Sequence, residues 1–281
     1  MDQAYAMGLN VIPDSTTAAR ASLDNGKFGA NGTGGISSLS ALVSSYAPQL
    51  ANIGWFLDDE PDQQAVNWYL LSPPTLVKEA ETVRQHTSLP TLVDFQHAAY
   101  TTVDPRYNGA ADIWMAEPYG KDVEHVTEAI STLEAIQQRP IWLFQNDTTT
   151  TLIVPKAYLA IIDGATGILY FNWDKFHLNK AGYGEVQKVF AKLGSLKEVI
   201  FASRVSVHPP LGISATGRSY QGQTYVLAVN PNTPDVTGRF SVPGLKAGQT
   251  IKVEFENRTI TSAAGGFTDT FKGVSRHVYV Y

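Results

Sequence analysis

The chain contains no cysteine. Disulfides, thiolate metal sites and cysteine nucleophiles are therefore excluded. It has no run of Lys and Arg, and its formal net charge is −5. Nucleic acid and anionic membrane surfaces are poor partners for such a chain. No apolar run approaches the roughly 20 residues needed to span a bilayer. The N-terminus lacks the basic-then-apolar order of a signal peptide. A soluble protein is expected, secreted or periplasmic where a leader is missing from this sequence. Histidine is scarce, at 6, and shows no paired ligand spacing such as H-E-x-x-H. The acidic stretch "DDEPDQQ" lacks the alternating oxygen ligands of a calcium loop. No metal and no cofactor are therefore expected.

Much of the rest is apolar. The 281 residues are 43% hydrophobic and 17% charged, so a sizeable core is available. Up to about residue 200, short apolar runs alternate with helical patterns. The runs are "GLNVIPD" (8–14), "NIGWFLDD" (52–59), "LPTLVDF" (89–95), "ADIWMAE" (111–117), "RPIWLFQ" (139–145) and "GATGILYFNW" (164–173). Near-continuous hydrophobicity fits parallel strands covered on both faces. Between them, Leu76, Ala80 and Val83 recur at helical spacing, as do Val123, Val126, Ile130 and Leu133, and Val186, Val189, Phe190 and Leu193. Pro155 suits a first helical turn and Gly164 a helix stop. The Gly- and Ser-rich stretch 26–40 reads as a long loop.

From about residue 200 the pattern changes. Turn signals such as "HPPLG", "NPNTPD" and "SAAGG" separate alternating segments such as "TYVLAVN", "IKVEFE" and "SRHVYVY". That pattern predicts an antiparallel β-sandwich of about 80 residues. The expected fold class is α/β for residues 1–198, followed by a β-sandwich accessory domain over 199–281.

The order of these segments resembles TIM-barrel glycoside hydrolases related to clan A, which carry a small C-terminal β-sandwich. The resemblance rests on "DDEP" after an apolar strand, on "GATGILYFNW", and on the closing "DTFKGVSRHVYVY". It implies a (β/α)8 barrel, here with about six strand–helix units, the first two barrel strands being apparently missing. An incomplete barrel would invite an oligomer. Counted back from 164–173 as the eighth strand, 52–59 is the fourth, whose terminal Glu is the general acid/base of clan A. That role falls on Glu60. Two positions depart from the family. Asp59 stands where Asn usually precedes that Glu. The seventh strand ends Gln145-Asn146-Asp147, with no nucleophilic Glu.

In a barrel the site lies at the C-terminal strand ends. Glycoside cleavage needs one protonated carboxyl and one ionised carboxylate. Crowding by Asp58, Asp59 and Asp62 would help Glu60 keep its proton. Strand alternation puts Asp58 and Glu60 on one face, and Pro61 favours extended backbone at Glu60. Glu117, two strands away and also followed by Pro, is the candidate second carboxylate. It is expected beyond direct nucleophilic reach but able to activate a water. Asp58, Asp94, His97, Tyr119, Gln145, Asn146, Asn172 and Asp174 sit at strand ends with groups suited to sugar hydroxyls. The resemblance makes Trp173 a sugar-stacking platform. Trp55, Trp114 and Trp142 lie mid-strand and read as core. Three functions stay open: a glycoside hydrolase acting on a poly- or oligosaccharide, a carbohydrate-binding or vestigial barrel, and a fragment of a larger glycosidase.

Overall fold

A computed structural model describes residues 6, 10–14, 33–62, 72–96, 103–118, 122–136, 139–145, 150–171 and 180–281. The chain divides into two compact units, one of residues 1–118 and 129–144, the other of residues 119–128 and 145–281.

The first unit is built on parallel strands in sequence order: β1 (Trp55–Asp58), β2 (Thr91–Phe95), β3 (Ile113–Ala116) and β4 (Ile141–Gln145). Residues 11–14 run beside β1 through parallel bridges from Val11 to Asn52 and from Asp14 to Phe56. Strands adjacent in sequence are adjacent in this sheet. The strand interiors are apolar because both faces are covered. Trp55, Leu57, Val93, Phe95 and Trp114 have no solvent exposure. Phe95 packs at 4.7 Å on Trp114 and at 5.4 Å on Tyr107. Trp142 is only half-buried.

Helix α2 (Pro73–Arg84) packs on β1, and helix α1 (Thr33–Tyr46) packs on α2. Ser40 and Ser44 of α1 hydrogen-bond the His86 ring just past α2, at 2.8 and 3.2 Å. The helix at 33–46 corrects the expected loop over 26–40. Its Leu39 and Val43 are fully buried, and this apolar pair outweighs the poor helix propensity of the Gly and Ser around it. Residues 26–32 lie outside the described residues. Helix α3 (His125–Ile136) buries Val126, Ala129, Ile130 and Leu133, the stripe its spacing predicts.

Asp112 pins the N-terminal ends of the strands. Its carboxylate accepts hydrogen bonds from the Thr91 N–H (2.9 Å) and hydroxyl (2.8 Å), from Arg84 (2.9 Å) and from Arg139 (3.2 Å). Burial pushes this carboxyl up, but the Thr91 and Arg84 donors outweigh it and hold it below the usual range.

In the second unit the Gln145 carbonyl accepts from the Phe171 N–H at 2.9 Å, directly after β5 (Gly167–Tyr170). Helix α4 (Thr150–Asp163) contains Pro155 in its interior rather than its first turn. A proline there has no N–H to donate to the carbonyl four residues back, that of Thr151. Helices α5 (Lys180–Ser195) and α6 (Lys197–Ile200) lead into the β region.

Strands β6 (Ser203–Val205), β7 (Ser214–Tyr220), β8 (Gln223–Asn230), β10 (Thr250–Val253), β11 (Arg258–Thr261) and β13 (Ser275–Val280) form an antiparallel sheet in the order β11-β10-β13-β8-β7-β6. β9 (Val236–Ser241) and β12 (Gly266–Phe271) form a second, two-stranded sheet. One core joins the two layers: Phe240, Phe267 and Phe271 meet Val226, Ala228, Ile251, Val253 and Tyr279. The Phe240 and Phe267 rings stack at 4.8 Å. Helix α4 packs on β7, β8 and β13.

Asp112→Ala leaves the Thr91 N–H without its acceptor, so a loss of about 1–3 kcal/mol is expected in denaturant unfolding. The depressed carboxyl fixes the pH sign. The Asp112 contribution is present above the ordinary carboxylate range and disappears on acidification through its lowered pKa. The Ala variant should lack that acid-dependent part.

Candidate active site

Three consecutive strands end in carboxyl groups. Glu60 follows β1 by two residues, Asp94 is the penultimate residue of β2, and Glu117 directly follows β3. Neighbouring parallel strands hold their C-terminal ends side by side, so the three side chains converge. One oxygen of each lies within 4.8 Å of one oxygen of each of the others. All three are buried, at 6%, 0% and 2% exposure respectively.

The backbone is shaped for this meeting. The β1–β2 register shifts between Phe56 and Asp58, an irregularity of the kind that re-aims side chains beside active sites. Asp58 is buried and its Oδ1 accepts the Asp59 N–H at 2.8 Å, while Asp59 is exposed. Glu60 then adopts φ +49°. That corrects the extended backbone expected from Pro61. The chain turns sharply off β1, and the Glu60 N–H reaches Asp94 Oδ1 at 3.2 Å. A left-handed residue that is not Gly or Asn costs about 1 kcal/mol or more. Tyr107 holds the next residue in place, its hydroxyl donating to the Pro61 carbonyl at 3.2 Å. At the third position, the Glu117 N–H donates to the Phe95 carbonyl at 3.2 Å.

Burial and like charge dominate the electrostatics. The Glu60 carboxyl is pushed up to about 7, first by burial and then by the negative charges of Asp59 and Asp62, against a lowering hydrogen bond with Glu117. Asp94 is pushed well above the ordinary range by burial, by Glu117 and by Asp59, and it shares a side-chain hydrogen bond with Glu117. Carboxyls this close cannot all ionise. The group therefore retains protons at neutral pH, or gives up a proton to a cation. Glu60, Asp94 and Glu117 are the described residues that could hold a metal. Three carboxylate oxygens suit a hard divalent ion such as Ca²⁺ or Mg²⁺, with further oxygens completing the shell.

Of the residues singled out from the sequence, Glu60, Glu117 and Asp94 come together. Glu117 is not out of reach of Glu60, as its two-strand separation suggested. Gln145 ends β4, buried to 2% exposure, in the second unit. Trp173, His97, Tyr119, Asn146, Asn172 and Asp174 lie outside the described residues. Asp94, read from sequence as a hydroxyl ligand, lies in the carboxyl cluster. Its signal was present in the sequence: three successive strands each end in an acid, and successive strands are spatial neighbours.

No protein-family model matches the chain, and no curated protein matches it. Solved structures do. A glycoside hydrolase family 30 endoxylanase from Clostridium papyrosolvens matches 87% of this chain and 70% of its own, at TM-score 0.54 and 16% identity. The noncanonic maltogenic α-amylase AmyB from Thermotoga neapolitana matches 100% of this chain and 79% of its own, at TM-score 0.62 and 9% identity. An acarbose-bound α-amylase from Geobacillus thermoleovorans matches at TM-score 0.58 and 13% identity, and this chain spans 63% of it. The chain has the fold of TIM-barrel glycosidases. At these identities the likeness shows the fold alone. Among the described residues, no helix is long and apolar enough to cross a membrane.

Because Glu60 binds its proton more tightly folded than unfolded, its stabilising contribution is complete below its ordinary value of 4.5 and is lost as pH rises through about 7. Melting temperatures of wild type and Glu60→Gln between pH 4.5 and 8 should therefore converge at the acid end on a common profile and separate above it. The wild type should fall more steeply with pH, and Glu60→Gln should flatten that part of the curve.

Proposed function

We propose that the chain is a glycoside hydrolase, with Glu60 as general acid/base and Glu117 as nucleophile. The observation that carries this reading is a buried, strand-end carboxyl held near pKa 7 within 4.8 Å of a second buried carboxyl. A group poised near neutrality can donate a proton and take one back. The short oxygen separation favours direct attack: retaining pairs stand about 5–5.5 Å apart, whereas inverting pairs leave about 6.5–9.5 Å for a water.

In the first step Glu117 attacks the anomeric carbon while Glu60 protonates the departing glycosidic oxygen. The bond to the leaving sugar breaks and an ester to Glu117 forms. In the second step Glu60 takes a proton from water, and the hydroxide displaces Glu117 from the anomeric carbon. Asp94, kept protonated, hydrogen-bonds Glu117 and accepts the Glu60 N–H, so it positions both partners. The substrate is a poly- or oligosaccharide, and Asp58 is assigned to a sugar hydroxyl. Catalysis is assigned to residues 1–198, and the β region from 199 onward is an accessory.

The same three oxygens favour a second reading, in which a divalent cation occupies the cluster and the barrel binds sugar without cleaving it. Reducing-end release from a polysaccharide panel separates the two. Wild type should hydrolyse at least one substrate, insensitive to EDTA, with net retention of anomeric configuration by NMR. Glu60→Gln and Glu117→Gln should each lose about 10²–10⁴-fold. Turnover unchanged in Glu60→Gln would overturn the assignment. Absence of hydrolysis, together with calorimetric uptake of Ca²⁺ or Mg²⁺ that Asp94→Asn weakens, would establish the cation reading.

A further inference from the structure

A second site lies wholly within the second unit. A cleft of about 820 Å³ opens between the first turns of α4 and the β12–β13 connection. Its floor is built around Arg276. The guanidinium sits over the Tyr158 ring at 5.2 Å and the Phe255 ring at 5.9 Å. Its side chain is only 12% exposed. Among the described residues it makes one hydrogen bond, a 3.3 Å contact from Nη1 to Glu256 Oε1. A guanidinium has five N–H donors in a planar fork, so most of this fork is left to whatever enters the cleft.

The polar groups around it are unequally used. The acceptors are engaged: Glu256 Oε1 takes His277 Nδ1 at 2.6 Å, Glu256 Oε2 takes Arg258 at 2.9 Å, and Glu185 takes Lys188 at 2.7 Å. The hydroxyls of Thr150, Thr151 and Thr233, which line the same cleft, make no side-chain hydrogen bond to a described residue. The charged groups that line the cleft are Glu185, Glu256 and Arg276, and both carboxylates are already paired with cations, Glu185 with Lys188 and Glu256 with Arg258 and Arg276. What remains unfilled is a set of donors.

The cleft wall is rigid. Val274 holds φ +52°, a conformation that β-branched residues almost never take. The turn that imposes it is tied at several points. The Val274 N–H donates to the Asn232 carbonyl (2.8 Å), the Gly273 N–H to Asp235 (3.0 Å), and the Ser275 hydroxyl to the Lys272 carbonyl (2.6 Å). A Cβ on Gly273 would fall 1.8 Å from the Thr233 carbonyl oxygen, so only glycine permits this approach. Strain maintained by so many ties is characteristic of a preorganised site.

We propose that this cleft binds an oxyanion-bearing small molecule, a carboxylate or phosphate held by the Arg276 fork and the Thr150, Thr151 and Thr233 hydroxyls. Guanidinium recognises both groups bidentately, and the threonine hydroxyls supply the remaining donors. The ring stack fixes the fork in advance, so little rotamer entropy is lost on binding. This site is independent of the carboxyl cluster and of the glycosidase reading.

Isothermal titration calorimetry of the full chain with inorganic phosphate, sulfate, malonate and maltose tests it. At least one oxyanion should bind with one-to-one stoichiometry, and maltose should not bind at this site. Arg276→Gln should weaken the oxyanion by about tenfold or more, and Arg276→Lys should weaken it too, because an ammonium lacks the fork. Thr151 is exposed, so Thr151→Val spares the fold and should weaken binding by about threefold. The strongest probe separates a carboxylate site from a phosphate site. The proposal is overturned if no oxyanion binds, or if binding is the same in Arg276→Gln and Thr151→Val as in wild type.

Discussion

Three carboxyl groups are buried with oxygens within 4.8 Å of one another, away from the solvent that would screen them. That constraint governs the chemistry of the first unit. Each proton lost would leave a negative charge in a low-dielectric setting beside two others, so ionisation is resisted step by step. The exposed neighbour Asp59 and the turn residue Asp62 add to the resistance without entering the cluster. The Glu60 carboxyl is pushed up to about 7 and that of Asp94 well above its ordinary range, by position alone. The rings of Phe95, Trp114 and Tyr107 pack together on the same strands, and the Tyr107 hydroxyl ties down Pro61 beside Glu60.

The two ends of the parallel strands carry opposite solutions to the same problem. At the C-terminal ends, carboxyls are crowded against one another, and those of Glu60 and Asp94 are pushed upward. At the N-terminal ends, Asp112 is surrounded by donors and held ionised. One arrangement strains the fold and the other secures it, which is the usual division between the working face and the supporting face of a barrel. The second unit repeats the contrast in a β setting. Arg258 is saturated by Asp269 and Glu256, with bonds of 2.7 to 3.1 Å, while Arg276 two strands away keeps most of its donors open.

The strand positions were legible because buried parallel strands have no polar face, so their apolar runs stand out from the helices around them. All six runs coincide with observed strands or with the bridged segment 11–14. The helix stripes were legible for the corresponding reason. Three features were not. The 33–46 helix hides in Gly and Ser, whose local preference is overruled by burial of Leu39 and Val43. Pro155 sits mid-helix because Ile153, Ala157, Tyr158 and Ile161 bury on either side of it, and that packing is worth more than one backbone bond. The backbone at Glu60 follows a long-range tie to Asp94, which no local rule about proline can foresee. The clustering of Asp94 with Glu60 and Glu117 was implicit in strand order, but oxygen-to-oxygen distance depends on the bulge after Phe56 and on that turn.

The left-handed backbone at Glu60 has an evolutionary consequence. Gly, Asn and Asp occupy that region more comfortably than Glu does, and none of them would bring a carboxyl so far into the cluster. A lineage that no longer used this position would gain stability from any of those replacements and would drift toward them. A glutamate in a left-handed conformation, beside two acids that repel its charge, gives up stability that Gly, Asn or Asp would keep at the same place.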